Sequence, residues 1–274
     1  MFRYAICNET FQGWDWDRTV DFVAREGYDG IEVAPFTLAE RVTDLDAARR
    51  RDLRRAAEKA RLPVVGLHWL LVKPEGLHLT TPDEDVRNRT ADYFVELVRF
   101  CADLGGAILV VGSPRQRSLR PGVTREQALE NARRVFERAL PEAERRGVTL
   151  ALEPLTPKET DFINTAEEGI DLIEKIGHPR FRLHLDVKAM MGSERMPLPD
   201  VIRVCARHLV HFHANDPNLL GPGMGDVDHR PILRALKEIG YTGYVSVEVF
   251  DYTPGPERIA RESLRYLRSA APAD

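Results

Sequence analysis

Four short strand-like runs in the second half of the chain each end in a side chain that commonly binds metal ions. These side chains belong to Glu153, Asp186, His213 and Glu248. They lie 33, 27 and 35 residues apart, and each interval is about the length of one strand followed by one helix. Successive parallel strands would therefore place three carboxylates and one imidazole around a common centre. The spacing predicts a site for one divalent metal ion.

The rest of the chain alternates short apolar runs with longer amphipathic ones, as such a site requires. The eight predicted strands are Tyr4–Cys7, Gly30–Ala34, Val64–His68, Ala107–Gly112, Thr149–Glu153, Arg182–Val187, Leu209–Ala214 and Tyr244–Phe250. The eight predicted helices are Trp16–Glu26, Ala47–Lys59, Glu84–Leu104, Arg125–Arg146, Ala166–Ile176, Pro199–Ala206, Arg230–Ile239 and Pro256–Ser269. Alternation of this kind gives parallel strand pairing, and eight repeats close into a barrel. We predict a single (β/α)8 TIM-barrel domain over residues 1–274.

The predicted connections are uneven in length. Those that lead from a strand to the next helix are mostly long, including a loop over Lys188–Leu198, whereas the returns from helix to strand are short. In this class of barrel the long connections build the active face. The four candidate ligands end their strands at the same face, so position and chemistry agree.

Charge and composition exclude several classes of function. The net charge is −4, and no basic segment of the kind that binds nucleic acid is present. No apolar run approaches the ~20 residues that cross a bilayer, and the first residues lack the build of a secretion signal. Three widely spaced cysteines do not make a disulfide framework. We therefore expect a cytoplasmic protein with neither a nucleic-acid nor a membrane partner.

Each candidate ligand also has a simpler explanation. A single carboxylate at a strand end can cap the next helix or pair with an arginine. Four such side chains at one register are harder to explain in this way, because clustered carboxylates become protonated unless a cation lies among them. Three oxygen ligands and one imidazole suit a hard to borderline ion. We expect one ion per chain, Mn²⁺ first, with Mg²⁺, Co²⁺ and Zn²⁺ also compatible.

Four runs of sequence resemble those of the xylose isomerase-like barrel superfamily of sugar isomerases and epimerases. The runs are Leu152–Leu155, Leu185–Val187, His211–His213 and Gly240–Glu248. By motif the nearest characterised relatives are ketose 3-epimerases, with hydroxypyruvate isomerase and inosose dehydratase nearby. The resemblance implies the same barrel and an isomerase or epimerase of a small sugar or polyhydroxy carbonyl compound.

The resemblance also implies roles for individual residues. The four strand-end residues would hold the metal ion, and Glu153 and Glu248 would also move a proton through an enediolate held by that metal. Glu159 matches a glutamate that contacts substrate in the epimerases. Two positions depart from the epimerase pattern: Ala189 stands where a substrate-contacting histidine is usual, and Leu219 stands where an arginine is usual.

Other residues near the predicted strand ends are candidates for substrate binding. Lys188 directly follows strand 6, and Arg115 follows strand 4 in a basic loop that also contains Arg117. Either loop could bind an anionic group, although exposed loop charges would need no ligand. Glu32 and His68 lie near the ends of strands 2 and 3, where they could contact substrate.

Two further histidines precede ligands by two residues. His184 precedes Asp186 and His211 precedes His213, so both pairs share a strand face. We expect His184 and His211 to be buried, hydrogen-bonded imidazoles one layer deeper in the barrel.

The sequence leaves other functions open. A dehydratase would use the same site to expel a β-hydroxyl group, in the manner of inosose dehydratase. An abasic-site endonuclease resembles the run His213–Asp216 but needs more metal ligands than this chain offers. A barrel that binds sugar without catalysis is the remaining alternative. The expected partner is a small sugar-like molecule, and the resemblance implies a homo-oligomer, either a dimer or a tetramer.

Overall fold

Eight parallel strands close into a barrel in the computed structural model, which describes residues 1–273. The strands are β1 Arg3–Cys7, β2 Gly30–Val33, β3 Val64–Leu67, β4 Ile108–Val111, β5 Thr149–Leu152, β6 Phe181–Asp186, β7 Leu209–Ala214 and β8 Tyr244–Val247. Each strand pairs with the next in sequence, and β8 pairs with β1 to complete the ring. The predicted (β/α)8 TIM barrel is confirmed.

Helices alternate with the strands along residues 1–273. They are α1 Trp16–Glu26, α2 Ala47–Lys59, α3 Glu84–Leu104, α4 Arg125–Arg146, α5 Ala166–Ile176, α6 Val187–Ser193, α7 Leu198–Val204, α8 His229–Glu238 and α9 Pro256–Ala270. None of these helices is long and apolar enough to cross a membrane.

The first five helices begin and end where the sequence predicts, because their termini carry strong local signals. The side chains of Asp15, Asp46 and Asp83 each accept a hydrogen bond from a backbone N–H in the first turn of α1, α2 and α3. Gly27 and Gly105 end α1 and α3 in the left-handed conformation, which glycine adopts without a Cβ clash.

The connection after β6 differs from its prediction. The expected loop over Lys188–Leu198 instead begins with α6, and α7 covers Leu198–Val204 rather than Pro199–Ala206. The Asp186 side chain caps α6 by accepting a hydrogen bond from the Ala189 N–H at 2.7 Å. Helix α6 is only one or two turns long and contains Gly192. So short a helix shows little hydrophobic periodicity, which is why the sequence pattern did not predict it.

The two faces of the barrel strands carry different side chains, with apolar ones facing the helices and polar ones facing the barrel interior. Apolar side chains such as Phe181 and Phe212 are fully buried, and the rings of Phe136 and Phe181 lie 4.8 Å apart to join α4 to the barrel. Towards the carboxyl ends of the strands the buried set includes Glu32, His184, His211 and Ser246. The candidate site therefore rests on a polar layer inside the barrel.

Candidate metal centre

Four side chains meet at the carboxyl ends of β5 to β8, as the spacing predicts. One donor atom from each of Glu153, Asp186, His213 and Glu248 lies within 4.8 Å of the others. Asp186 and His213 are paired in register on β6 and β7, while Glu153 and Glu248 directly follow β5 and β8. All four side chains are buried. The barrel register thus converts a spacing in sequence into a cluster in space.

The carboxylates of this cluster repel one another. Burial raises the pKa of Glu153 well above its usual value, and the nearby charges of Glu248 and Asp186 raise it further. Burial together with the charge of Glu248 raises the pKa of Asp186 to about 6. A divalent cation at the centre would relieve this repulsion, so the donor set fits the expected metal ion.

His213 has its two ring nitrogens in different surroundings. Nδ1 lies 3.0 Å from Glu248 Oε2 within the cluster, and Nε2 lies 3.1 Å from Glu32 Oε2 on the opposite side of the ring. If Glu32 accepts the proton of Nε2, the lone pair of Nδ1 faces the cluster, which is the arrangement a metal-binding imidazole needs.

Glu32 lies beneath the cluster and outside the pocket. Its carboxylate has no exposed surface and also accepts a hydrogen bond from His211 Nε2 at 2.8 Å. Burial opposes its charge, but the neighbouring imidazoles His211 and His213 hold its pKa well below the usual value. The sequence predicted that Glu32 could contact substrate. In the structure β2 carries Glu32 one layer deeper, and it does not line the pocket.

Asp186 is held by two donors that leave its position little freedom. Oδ1 accepts a hydrogen bond from the Ala189 N–H, by which Asp186 caps α6. Oδ2 accepts a hydrogen bond from Nδ2 of Asn215 at 2.5 Å. Asn215 Oδ1 in turn accepts the Lys188 N–H at 2.8 Å. The sequence interpretation missed Asn215, although its place two residues after His213 on the same strand face was a usable signal.

A narrow pocket opens above the cluster. Its lining includes both glutamates of the predicted acid/base pair together with apolar and polar neighbours: His68, Trp69, Val110, Gly112, Ser113, Pro114, Glu153, Leu155, Glu159, Lys188, Glu248 and Phe250. A Cβ at Gly112 would collide with the Glu153 carboxylate, so a larger residue here would displace that carboxylate. Trp69 and Phe250 meet edge to face with ring centroids 6.1 Å apart and form an apolar wall.

Two oppositely charged side chains in the pocket lining form an ion pair. Lys188 Nζ lies 2.7 Å from Glu159 Oε1 and 4.1 Å from the centroid of the Phe250 ring. Burial would lower the pKa of Lys188, but Asp186 and the hydrogen bond to Glu159 raise it above the usual value. The structure therefore brings Glu159 and Lys188 together at the pocket, where the sequence could only name them separately.

His68 lines the pocket from the opposite side. Its Nε2 lies 2.7 Å from Glu9 Oε2, and both side chains are buried. Burial opposes its charge, whereas the nearby Cys7 and Glu9 raise the pKa of His68 well above its usual value. The sequence interpretation selected Glu32 and His68 near the strand ends but not Glu9, which lies in the short 3-10 segment that follows β1.

The remaining candidates from the sequence differ in burial and in hydrogen bonding: Arg115, Arg117, His184 and His211. Arg115 is exposed and does not line the pocket. Arg117 is fully buried, so the expectation of a solvated surface run is wrong for this residue. His211 is buried and hydrogen-bonded as predicted. His184 is buried, but neither of its ring nitrogens has a hydrogen-bond partner, which corrects half of its prediction.

Comparison with known proteins agrees with this fold. The model of the xylose isomerase-like TIM barrel family matches residues 20–270, so the chain belongs to this family. The match covers almost the whole barrel.

Two curated relatives are epimerases. D-psicose 3-epimerase from Ruminiclostridium cellulolyticum is 27% identical over 257 residues, which are 90% of this chain and 82% of the relative. A probable ketose 3-epimerase from Synechocystis is 26% identical over 264 residues, which are 89% of this chain and 87% of the relative. These likenesses agree with the expectation of a sugar isomerase or epimerase.

A solved structure confirms the fold. The D-psicose 3-epimerase of Clostridium cellulolyticum H10, crystallised with D-tagatose, superposes with a TM-score of 0.87. The alignment covers 99% of this chain and 100% of the other, at 22% sequence identity.

Proposed function

We propose that this protein is a divalent-metal-dependent epimerase of a small ketose. The observation that carries the proposal is the position of two glutamates: Glu153 and Glu248 approach one centre from β5 and β8, and both line the pocket above it. Acid/base pairs in epimerases must reach the same carbon from two sides. The curated relatives, which are sugar 3-epimerases, support the same reaction.

The metal ion would be held by the four strand-end side chains. Mn²⁺ suits three carboxylates and one imidazole, and Mg²⁺, Co²⁺ and Zn²⁺ also fit the donor set. When bound, the ion polarises neighbouring carbonyl and hydroxyl oxygens and stabilises the negative charge that proton removal creates.

The two glutamates would carry out the proton transfers. One removes the proton from the carbon next to the ketone, and the remaining charge spreads over the adjacent oxygens as an enediolate. The other glutamate returns a proton to the opposite face of the same carbon, which inverts its configuration. Both carboxylates are buried, so bulk water is largely kept from the carbanionic carbon.

Substrate would be oriented by the polar groups of the pocket and by its apolar wall. Glu159 accepts hydrogen bonds from sugar hydroxyl groups, and Lys188 donates one to a sugar oxygen. His68 lies on the opposite side of the pocket and is a further candidate contact. The ring of Phe250 packs against the carbon skeleton.

A test of this function uses solvent deuterium. The purified protein, loaded with Mn²⁺, is incubated with D-psicose, D-fructose or D-tagatose in deuterated water, and the sugars are followed by NMR. We expect a second epimer to form with deuterium on the inverted carbon. Glu153→Gln and Glu248→Gln serve as controls and should remove this exchange. Binding of sugar without any exchange of deuterium would contradict the proposal.

A reaction that expels water would also be visible in this test. Loss of a hydroxyl group from the substrate, detected by mass, would identify a dehydratase in place of an epimerase. The cytoplasmic location and the dimer or tetramer remain predictions from the sequence and the resemblance.

A further inference from the structure

Arg117 is an arginine with no exposed surface beside the candidate metal centre. It lies just after the short 3-10 segment Pro114–Gln116 in the connection between β4 and α4. It is the largest fully buried side chain of the described residues. A guanidinium keeps its charge in proteins, so its burial is costly unless its donors are satisfied.

Two of the three guanidinium nitrogens donate to three backbone carbonyls, whereas Nε has no hydrogen-bond partner. Nη1 lies 2.6 Å from the carbonyl oxygen of Glu153 and 3.2 Å from that of Val111, and Nη2 lies 3.1 Å from that of Ile163. Burial lowers the pKa of Arg117 to about 10, while the charges of Glu153 and Glu159 oppose this change. The side chain is therefore used as a fork that joins backbone segments.

The three carbonyls belong to three parts of the active face. Val111 ends β4, Glu153 is the strand-end glutamate after β5, and Ile163 closes the connection that carries Glu159. Backbone bonds complete the junction: Glu153 N–H donates to Val111 O at 3.2 Å, and Leu155 N–H donates to Ile163 O at 3.1 Å. Removal of the guanidinium would thus loosen the junction without breaking the strands.

The backbone at the two ends of the junction is unusual. Ser113 has φ +48° and Ile163 has φ +59°, in the left-handed region that such residues rarely occupy. A β-branched isoleucine in this conformation persists only where its surroundings determine it. The bond from Arg117 to the Ile163 carbonyl is one of the contacts that do so.

We propose that Arg117 is a positioning residue that fixes the Glu153 backbone and the 154–163 connection, and thereby sets the geometry of both the metal centre and the substrate pocket. The inference rests on the proposed function for its metal-binding part. The role depends on the fork shape of the guanidinium and not only on its charge. A lysine places one compact ammonium on a flexible stem and cannot reach three carbonyls in fixed directions.

The test compares Arg117→Met and Arg117→Lys with wild type and with a matched control. Arg50 provides the control because it is also largely buried and donates to two backbone carbonyls, those of Leu45 and Val42, but neither of these residues belongs to the metal centre or lines the pocket. Two quantities are measured: the Kd for Mn²⁺ by titration calorimetry, and hydrogen exchange of backbone amides over residues 153–164.

We expect both Arg117 variants to bind Mn²⁺ about 10- to 100-fold more weakly, as is typical when a group that orients a ligand is lost. Amide exchange over 153–164 should rise in the same variants, and Arg50→Met should change neither quantity. If Arg117→Met does not fold, Arg117→Lys carries the comparison.

Either of two outcomes would overturn the inference. One is wild-type Mn²⁺ affinity and wild-type exchange in Arg117→Lys. The other is an equal loss of affinity in Arg50→Met, which would make the effect one of general stability. A wild-type protein that binds no Mn²⁺ would contradict the proposed function instead, and the exchange measurement would still decide whether Arg117 holds the connection.

Discussion

Buried carboxylates on the two sides of the barrel differ in how many imidazoles lie beside them. On the β1–β3 side, Glu9 lies 2.7 Å from His68, and Glu32 lies within hydrogen-bonding distance of His211 and His213. On the β5–β8 side three carboxylates share a single imidazole. Buried charges are tolerated where partners satisfy them.

The pKa values of Glu32 and Glu153 are shifted in opposite directions. The pKa of Glu32 is held well below its usual value by the neighbouring imidazoles, despite burial, whereas burial and neighbouring carboxylates raise the pKa of Glu153 well above it. On the first side each carboxylate has an imidazole beside it, although burial still raises the pKa of Glu9 above its usual value. On the second side three carboxylates share one imidazole, and this is where we place the proposed metal ion and the proton transfers.

The largest predicted effect concerns the side that needs a cation. Glu153→Gln or Glu248→Gln should lower turnover about 10²- to 10⁴-fold, the range for loss of a general acid or base. Glu9→Gln, on the opposite side, should cost much less because Glu9 does not line the pocket and is not one of the two proton-transferring glutamates, although one of its oxygens lies within 4.8 Å of Glu248. Initial rates of epimer formation measure all three, and equal losses would contradict the division into two sides.

A smaller effect is expected from a change at Glu32, which contacts the cluster residue His213. Glu32→Gln removes one of the acceptors that orient His211 and His213, so the affinity for Mn²⁺ should fall about 10- to 100-fold. Calorimetric titration measures it, with Glu9→Gln as the matched control expected to bind as wild type does. Unchanged affinity in Glu32→Gln would show that His213 needs no orientation from beneath.

The pocket above the metal centre should respond more mildly. Lys188→Met removes an ammonium that lies 2.7 Å from Glu159, so KM should rise about 10-fold, equivalent to one hydrogen bond of a charged group. Turnover should change less than KM because Lys188 contacts neither proton-transferring glutamate. Arg115→Met is the control, since Arg115 is exposed and outside the pocket lining. Its steady-state kinetics should match wild type, and a rise in KM as large as that of Lys188→Met would contradict the assignment.

The smallest predicted effect is on stability. Mn²⁺ at about 100 times its Kd should stabilise the folded protein by about 2.7 kcal/mol, because it binds the folded state and not the unfolded one. For a chain of this size that corresponds to a rise in Tm of roughly 5–10 °C. Thermal unfolding followed by circular dichroism, with and without chelator, measures it, and Asp186→Asn should show no such rise.

The sequence predicts the barrel well because its signals are local. The limits of α1 to α5 follow from caps and periodicity within each helix. The clustering of Glu153, Asp186, His213 and Glu248 also follows, because strand register converts their spacing into proximity. Helix α6 is short and begins directly after Asp186, so the hydrophobic periodicity of the sequence did not reveal it.

Other features depend on contacts between distant segments, which a single sequence does not contain. Strand alternation gives the face on which Glu32 lies but not its depth in the barrel. Arg117 has the sequence surroundings of a surface residue, and only its three carbonyl partners explain its burial. The pair of Lys188 and Glu159 joins two different loops.

The metal content of purified wild type and Asp186→Asn, determined side by side by mass spectrometry after loading with Mn²⁺, shows whether the β5–β8 cluster binds a metal ion. We predict one divalent ion per wild-type chain and almost none in Asp186→Asn. Absence of any ion from the wild type would mean that the carboxylates of the β5–β8 side serve structure alone, and would contradict the proposed metal centre and the reaction assigned to it.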